Sequence, residues 1–186
     1  MLNIRFLILG VVMAVFYGKG FTFIELIITL AILGIIVAIS TASYQGIRAN
    51  QSLIHRVGQV YYTLQLAKTE AVKRNKKIYV HFCQQQSIWK IGISDFSSCD
   101  CFSANSCQLD GIEKVQDLAD GKTLFVNSSN LTFTGSQTSY GALRFSVETG
   151  TITLSNSEQK SLSIVQSAMR LRVCAPDEPQ LGYKKC

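Results

Sequence analysis

Proline is nearly missing from this chain: there are two in 186 residues, Pro176 and Pro179, both close to the end. Nothing of that kind therefore breaks a helix in the first half. Histidine is as scarce, with only His55 and His81. Neither has neighbours in sequence that would build an acid–base or metal centre, so both read as surface or structural residues. The chain lacks a G-x-x-x-x-G-K phosphate loop, an H-E-x-x-H helix and a C-x-x-C redox pair. These gaps argue against an enzyme and leave no catalytic residue, metal or cofactor to name. No fixed period recurs, which excludes a solenoid. Charge is thin at the start, where only Arg5, Lys19 and Glu25 occur in the first 43 residues.

The first feature present is the apolar run FTFIELIITLAILGIIVAISTAS, residues 21–43. As a helix it is expected to extend roughly 34 Å and cross a bilayer. Beyond it, Leu53, Val57, Val60, Leu64, Ala67 and Ala71 recur at three- and four-residue steps, one apolar helix face. One helix from about 21 to 76 is expected, its first half in the membrane and its second half amphipathic. After Asn75 the pattern changes to strands: KIYVHF, IWKIGI, TLFV, NLTFTG, YGALRFSV, TITLSN, LSIVQ and LRVC. SDFSSCDCFSANSCQLDG has no period and reads as a cysteine-tied loop.

Charge alternates along the chain. Residues 44–80 hold seven cations and one anion, 81–159 hold four and eight, and 160–186 hold five and two. Lys68, Lys73, Arg74, Lys76 and Lys77 crowd the expected helix end, where cations suit the dipole. All six cysteines, Cys83, Cys99, Cys101, Cys107, Cys174 and Cys186, follow the apolar run. An even count there suggests disulfides in an oxidising compartment, with a metal site around Cys99-x-Cys101 as the rival. Cys174 with Cys186 is the expected pair, closing a short Pro- and Gly-containing loop for about 3 kcal/mol. Cys83 is expected to pair into the Cys99–Cys107 loop, with the choice among Cys99, Cys101 and Cys107 open.

Glu25 stands alone in hydrocarbon-like sequence, where a carboxylate costs about 2.5–3.5 kcal/mol without a partner. It reads either as an interfacial residue or as a docking device. Cleavage after Gly20 would expose the amine of Phe21, a cation that Glu25, of the same chain or a neighbour, can meet during lateral packing.

GFTFIELIITLAILGIIVAI resembles the N-terminal signal of type IV prepilins and type II secretion pseudopilins. That resemblance implies a leader, residues 1–20, removed by a prepilin peptidase after Gly20, with methylation of Phe21. It also implies Glu25-guided packing of residues 21–43 into a filament core, and a periplasmic domain over 44–186. LAKTEAVKRNKKIYVHFC and SAMRLRVC are similar to the helix-to-strand junction and the closing strand of GspH/FimT minor pilins and pseudopilins. The implied fold is α+β and pilin-like: a long N-terminal helix, membrane-spanning in its first half, packed on an antiparallel two-sheet β domain with disulfides. The implied place is the bacterial inner membrane, single-pass, then a pilus or pseudopilus. The implied partners are other pilin or pseudopilin subunits, the prepilin peptidase as processing enzyme, and the inner membrane. Double-stranded DNA is allowed as a further partner, through Arg170, Arg172, Lys184 and Lys185.

The chain departs from the family where a proline is frequent, at Ala42, and where a glycine precedes the closing arginines, at Met169. Its leader holds a second apolar stretch, so translation from Met13 competes with Met1. The disulfides and positive flanks tilt the expectation to a minor pilin near the tip of a type IV pilus, with a GspH-like secretion pseudopilin as the alternative.

Overall fold

A computed structural model describes residues 20, 22–126, 128–143 and 147–186, without the side chains of residues 39–43 and 130. Phe21 and the leader with Met1 and Met13 lie outside the described residues. The chain divides into two compact units, Met1–Ser43 and Tyr44–Cys186. Helix α1, Phe23–Arg74, runs through both. It stops because Asn75 turns left-handed at φ 52°, and the Lys76 amide then bonds back to the Ala71 carbonyl at 3.2 Å. This satisfies helix-end carbonyls that would otherwise lack partners.

Within the first unit the described side chains of 23–38 are exposed all round the helix, from Phe23 at 79% to Val37 at 60%. The expected membrane crossing is not supported. Among the described residues no helix is long and apolar enough to cross a membrane. Glu25 lies inside the apolar start of α1, where a carboxylate is costly in hydrocarbon. The single-pass inner-membrane placement and the membrane-spanning part of the fold expectation fall with that span.

The second unit folds around the other half of α1. Leu53, Val57, Val60, Leu64, Ala67 and Ala71 are all buried, so the 3.6-residue stripe is the core face. The strands are β1 Ile78–Gln85, β2 Ile88–Ser94, β3 Gln108–Leu109, β4 Ile112–Glu113 and β5 Val115–Ala119. They continue as β6 Leu124–Val126, β7 Gln137–Tyr140, β8 Gly150–Asn156, β9 Ser161–Gln166 and β10 Leu171–Cys174. Two four-stranded sheets, β5-β2-β1-β7 and β10-β9-β8-β6, and a small β3-β4 pair result. All the strand pairs are antiparallel. Ile78, Val80 and Phe82 of β1 and Ile152, Leu154, Leu162 and Ile164 of β8 and β9 join the helix stripe in one core. Between the sheets, the buried Gln166 amide donates to the Thr138 hydroxyl at 2.9 Å and accepts from the Tyr140 hydroxyl, tying β9 to β7.

Two strand expectations need correction. NLTFTG is no strand: Phe133 lies between 3-10 turns at Ser128–Asn130 and Thr134–Ser136. Its ring stacks on Phe82 at 5.2 Å and fills the space over Gly150, where a Cβ would come within 2.3 Å of Cδ1. The alternation there serves packing rather than pairing. Of YGALRFSV, Tyr140 closes β7 and Val147 forms one isolated bridge to it; residues 144–146 lie outside the described set. Conversely, β5 had not been expected. A register shift at Trp89/Lys90 lets the consecutive Leu118 and Ala119 both turn inward, which erases the period-two signal.

Candidate functional site

Thr22 lies just before α1, and the Glu25 amide bonds to its hydroxyl at 3.3 Å and to its carbonyl at 3.1 Å. Thr22-x-x-Glu25 is the capping signature that closes a helix start, and a carboxylate in the first turn also suits the positive end of the dipole. Glu25 thus has a local task that the sequence reading did not assign it, although the T-x-x-E spacing announces it. Gly20 is described and exposed. Among the described residues a Cβ there would meet nothing within 4 Å. Phe21 lies outside the described residues.

The closing strand holds the second set of expected site residues. Arg170 is exposed in the Ser167–Arg170 turn, one residue ahead of β10. Its amide and carbonyl are both used there: the amide bonds to the Ser167 hydroxyl at 3.1 Å, and the Ser167 amide bonds to its carbonyl at 2.9 Å. Arg172, within β10, donates its guanidinium to the Cys186 carbonyl oxygen at 2.9 Å. Lys184 and Lys185 are exposed on a segment fastened to the end of β10. There the Ala175 amide bonds to the Lys184 carbonyl, and the Cys186 amide to the Ala175 carbonyl, each at 2.8 Å. Arg170 thus stands before the start of β10 and Lys184 and Lys185 beside its far end, while Arg172 is engaged within the chain.

Cys174 is joined to Cys186, Cys83 to Cys101 and Cys99 to Cys107. Every cysteine sulfur is therefore committed, and the C-x-C zinc rival has no thiolate to offer. Among the described residues no His, Cys, Asp and Glu cluster could hold a metal. The first two bridges of the loop lie over the outer face of β1 and β2. The Cys101 amide contacts Cys83 Sγ at 3.2 Å, and Cys101 Sγ sits 3.8 Å from the His81 carbonyl.

At the basic helix end Lys73, Arg74 and Lys77 have carboxylate partners. Arg74 pairs with Glu70 and, across to the β3-β4 turn, with Asp110; its guanidinium holds both carboxyls below the usual carboxylate range. Lys73 approaches Glu70 at 3.8 Å and Lys77 approaches Glu148 at 4.0 Å. Such exposed pairs add little stability, but they describe a solvated face.

His55 is exposed on α1, whereas His81 is 6% exposed under the cysteine-rich loop. Burial holds its imidazole below the ordinary 6.5, against the opposing pull of the Phe96 carbonyl. The unfolded chain therefore takes up this proton first. Stability from the neutral ring is full above about 6.5 and is lost as pH falls from there through the lower folded value. Urea unfolding between about pH 7.5 and 5 should show this loss. His81→Asn should flatten the slope. An identical slope in His81→Asn would contradict the assignment.

A family model described as "Type II transport protein GspH" matches residues 57–175, from the buried part of α1 to the end of β10. A second, described as "Prokaryotic N-terminal methylation motif", matches residues 18–41, which include Gly20 and Glu25. No curated protein and no solved structure matches the chain.

Proposed function

Since the chain belongs to the GspH family of type II transport proteins, we propose that it serves as a minor pseudopilin of a type II secretion system. Membership makes it a structural protein rather than an enzyme. The family match favours secretion over the pilus subunit toward which the disulfides and positive flanks had tilted the sequence reading.

The observation that carries the proposal is the apolar first part of α1, exposed around its whole circumference over residues 23–38. A helix apolar on all sides needs a surrounding apolar surface, and the helices of other pilin-like subunits offer one. The methylation-motif match over 18–41 supports the same use of this segment. In this reading the processing peptidase cuts after Gly20, Phe21 becomes the new N-terminus, and Glu25 guides docking. The remaining partners are the other pseudopilins and the membrane from which they assemble. DNA contact rests on Arg170, Lys184 and Lys185, because Arg172 is engaged by Cys186.

A deletion strain complemented with the wild-type or variant gene tests the proposal. Deletion should stop export of folded exoproteins and leave twitching motility intact; the opposite pattern would return the protein to the pilus. Gly20→Trp should leave an uncut precursor. Mature-sized protein from that variant would refute cleavage at Gly20.

A further inference from the structure

We infer that the free edge of β10 is a strand-addition site for an extended, acidic segment of a partner protein. This surface lies wholly in the Tyr44–Cys186 unit and goes beyond the helix-mediated assembly proposed above.

The hydrogen-bond parity of β10 shows which backbone groups are free. β10 pairs antiparallel with β9, Leu171 opposite Gln166, Arg172 opposite Val165 and Val173 opposite Ile164. Just beyond the strand, the Ser167 amide bonds to the Arg170 carbonyl at 2.9 Å, which makes Arg170 a bonded position. In an antiparallel ladder bonded and non-bonded positions alternate. Arg172 and Cys174 therefore face β9, and Leu171, Val173 and Ala175 turn their backbone groups to the opposite edge. Ala175 follows this rule: its amide and carbonyl, directed away from β9, are taken by Lys184 and Cys186 in a parallel bridge. The chain thus begins a fifth strand at Ala175 and does not continue it. The amides and carbonyls of Leu171 and Val173 have no partner among the described residues.

An edge that presents unpaired backbone groups is a template for another strand. The other edges of the two sheets offer less. On β7, the Glu148 amide already bonds to the Ser139 carbonyl at 3.3 Å. On β5, the Asp117 carbonyl accepts from Arg56 at 2.6 Å. On β6, Leu124 spends both groups on its own turn, with Gly121 and Asp120.

Charge selects the occupant. Exposed Arg170 flanks one end of this edge and exposed Lys184 and Lys185 the other, whereas Arg172 is engaged by Cys186; Asp177 and Glu178 lie on the exposed loop between Ala175 and Lys184. A second copy adding β10 to β10 would set these cations against themselves, which is unfavourable across a strand pair. A segment whose acidic residues alternate along the strand meets them instead. Met169, 76% exposed beside Arg170, offers an apolar contact at one end.

The test uses the full chain and an end-blocked octapeptide of alternating Glu and Val, read by amide hydrogen exchange. In the free protein the Leu171 and Val173 amides should exchange faster than those of Arg172 and Cys174. The peptide should slow Leu171 and Val173 by about tenfold or more, and a Lys–Val octapeptide should not. A Glu–Val peptide N-methylated at every residue should fail to protect, because neither of its edges keeps a backbone donor. Val173→Pro should weaken binding of the unmodified peptide, since it removes an outward amide without a ladder bond. No protection at millimolar peptide, or equal protection by the N-methylated peptide, would overturn the proposal. So would duplex DNA that displaces the peptide while leaving both amides unprotected, because the surface would then be a phosphate contact.

Discussion

Glu25→Gln should remove most of the protein from assembled filaments while leaving its level and its β domain unchanged. On the proposed processing, the amine of Phe21 is a cation beside a carboxylate in an apolar surrounding, where the pair is hardly screened. Gln keeps the shape and the hydrogen-bonding capacity but not the charge, so docking should drop by an order of magnitude or more. The competing explanation is local. Glu25 sits in the first turn of α1, its amide bonded to Thr22, and loss of its charge weakens the helix start by roughly 0.3–1 kcal/mol. Thr22→Ala separates the two causes. It deletes the capping hydroxyl, at a cost of about 1 kcal/mol, and spares the carboxylate. Sheared filaments should contain Thr22→Ala protein at near wild-type amount and little Glu25→Gln protein. Equal losses in both variants would reduce Glu25 to a capping residue.

The second large effect is expected at Gly92, in the middle of β2. Gly92 pairs with His81 of β1, on the outer face covered by the cysteine-rich loop. A Cβ at this position would lie 2.7 Å from Cys107 Sγ, 3.0 Å from Cys107 Cβ and 3.2 Å from Cys101 Sγ. Those sulfurs are bridged to Cys99 and Cys83, so neither can rotate away. Gly92→Ala should cost about 1–3 kcal/mol of stability as an overpacked contact, and Gly92→Val more. The same clash should displace Cys101 and Cys107 during oxidation and yield mispaired isomers among Cys83, Cys99, Cys101 and Cys107. Denaturant unfolding and a non-reducing peptide map of the purified variant read both effects. Wild-type stability with an unchanged map would show that the loop tolerates the added carbon.

How far these sites can be read from residues alone differs between the two ends of the chain. Gly20, Phe21 and Glu25 are local in sequence, and their pattern is legible without coordinates. So is the T-x-x-E cap of Thr22 and Glu25. Gly92 gives no such sign. Its reason for being glycine comes from sulfurs 9 and 15 positions further along, brought over it by the disulfide loop. The outward amides of β10 are equally silent, because LRVC reads the same whether its far edge is covered or open.

By itself, the sequence determined whatever depends on short-range periodicity: the helix from Phe23 to Arg74 with its stripe from Leu53 to Ala71, and strands such as β1, β8 and β9. In these segments each residue's direction follows from its neighbours through the 3.6- or two-residue repeat. Tertiary structure alone decided what depends on partners distant in the chain. The β2 register shift made VQDLA a strand with Leu118 and Ala119 both buried. Packing against Phe82 and Gly150 kept Phe133 out of one. The hold of Cys186 on Arg172 took one arginine out of the basic surface. Each is a contact between residues that sequence spacing does not relate, so no local pattern could have carried it.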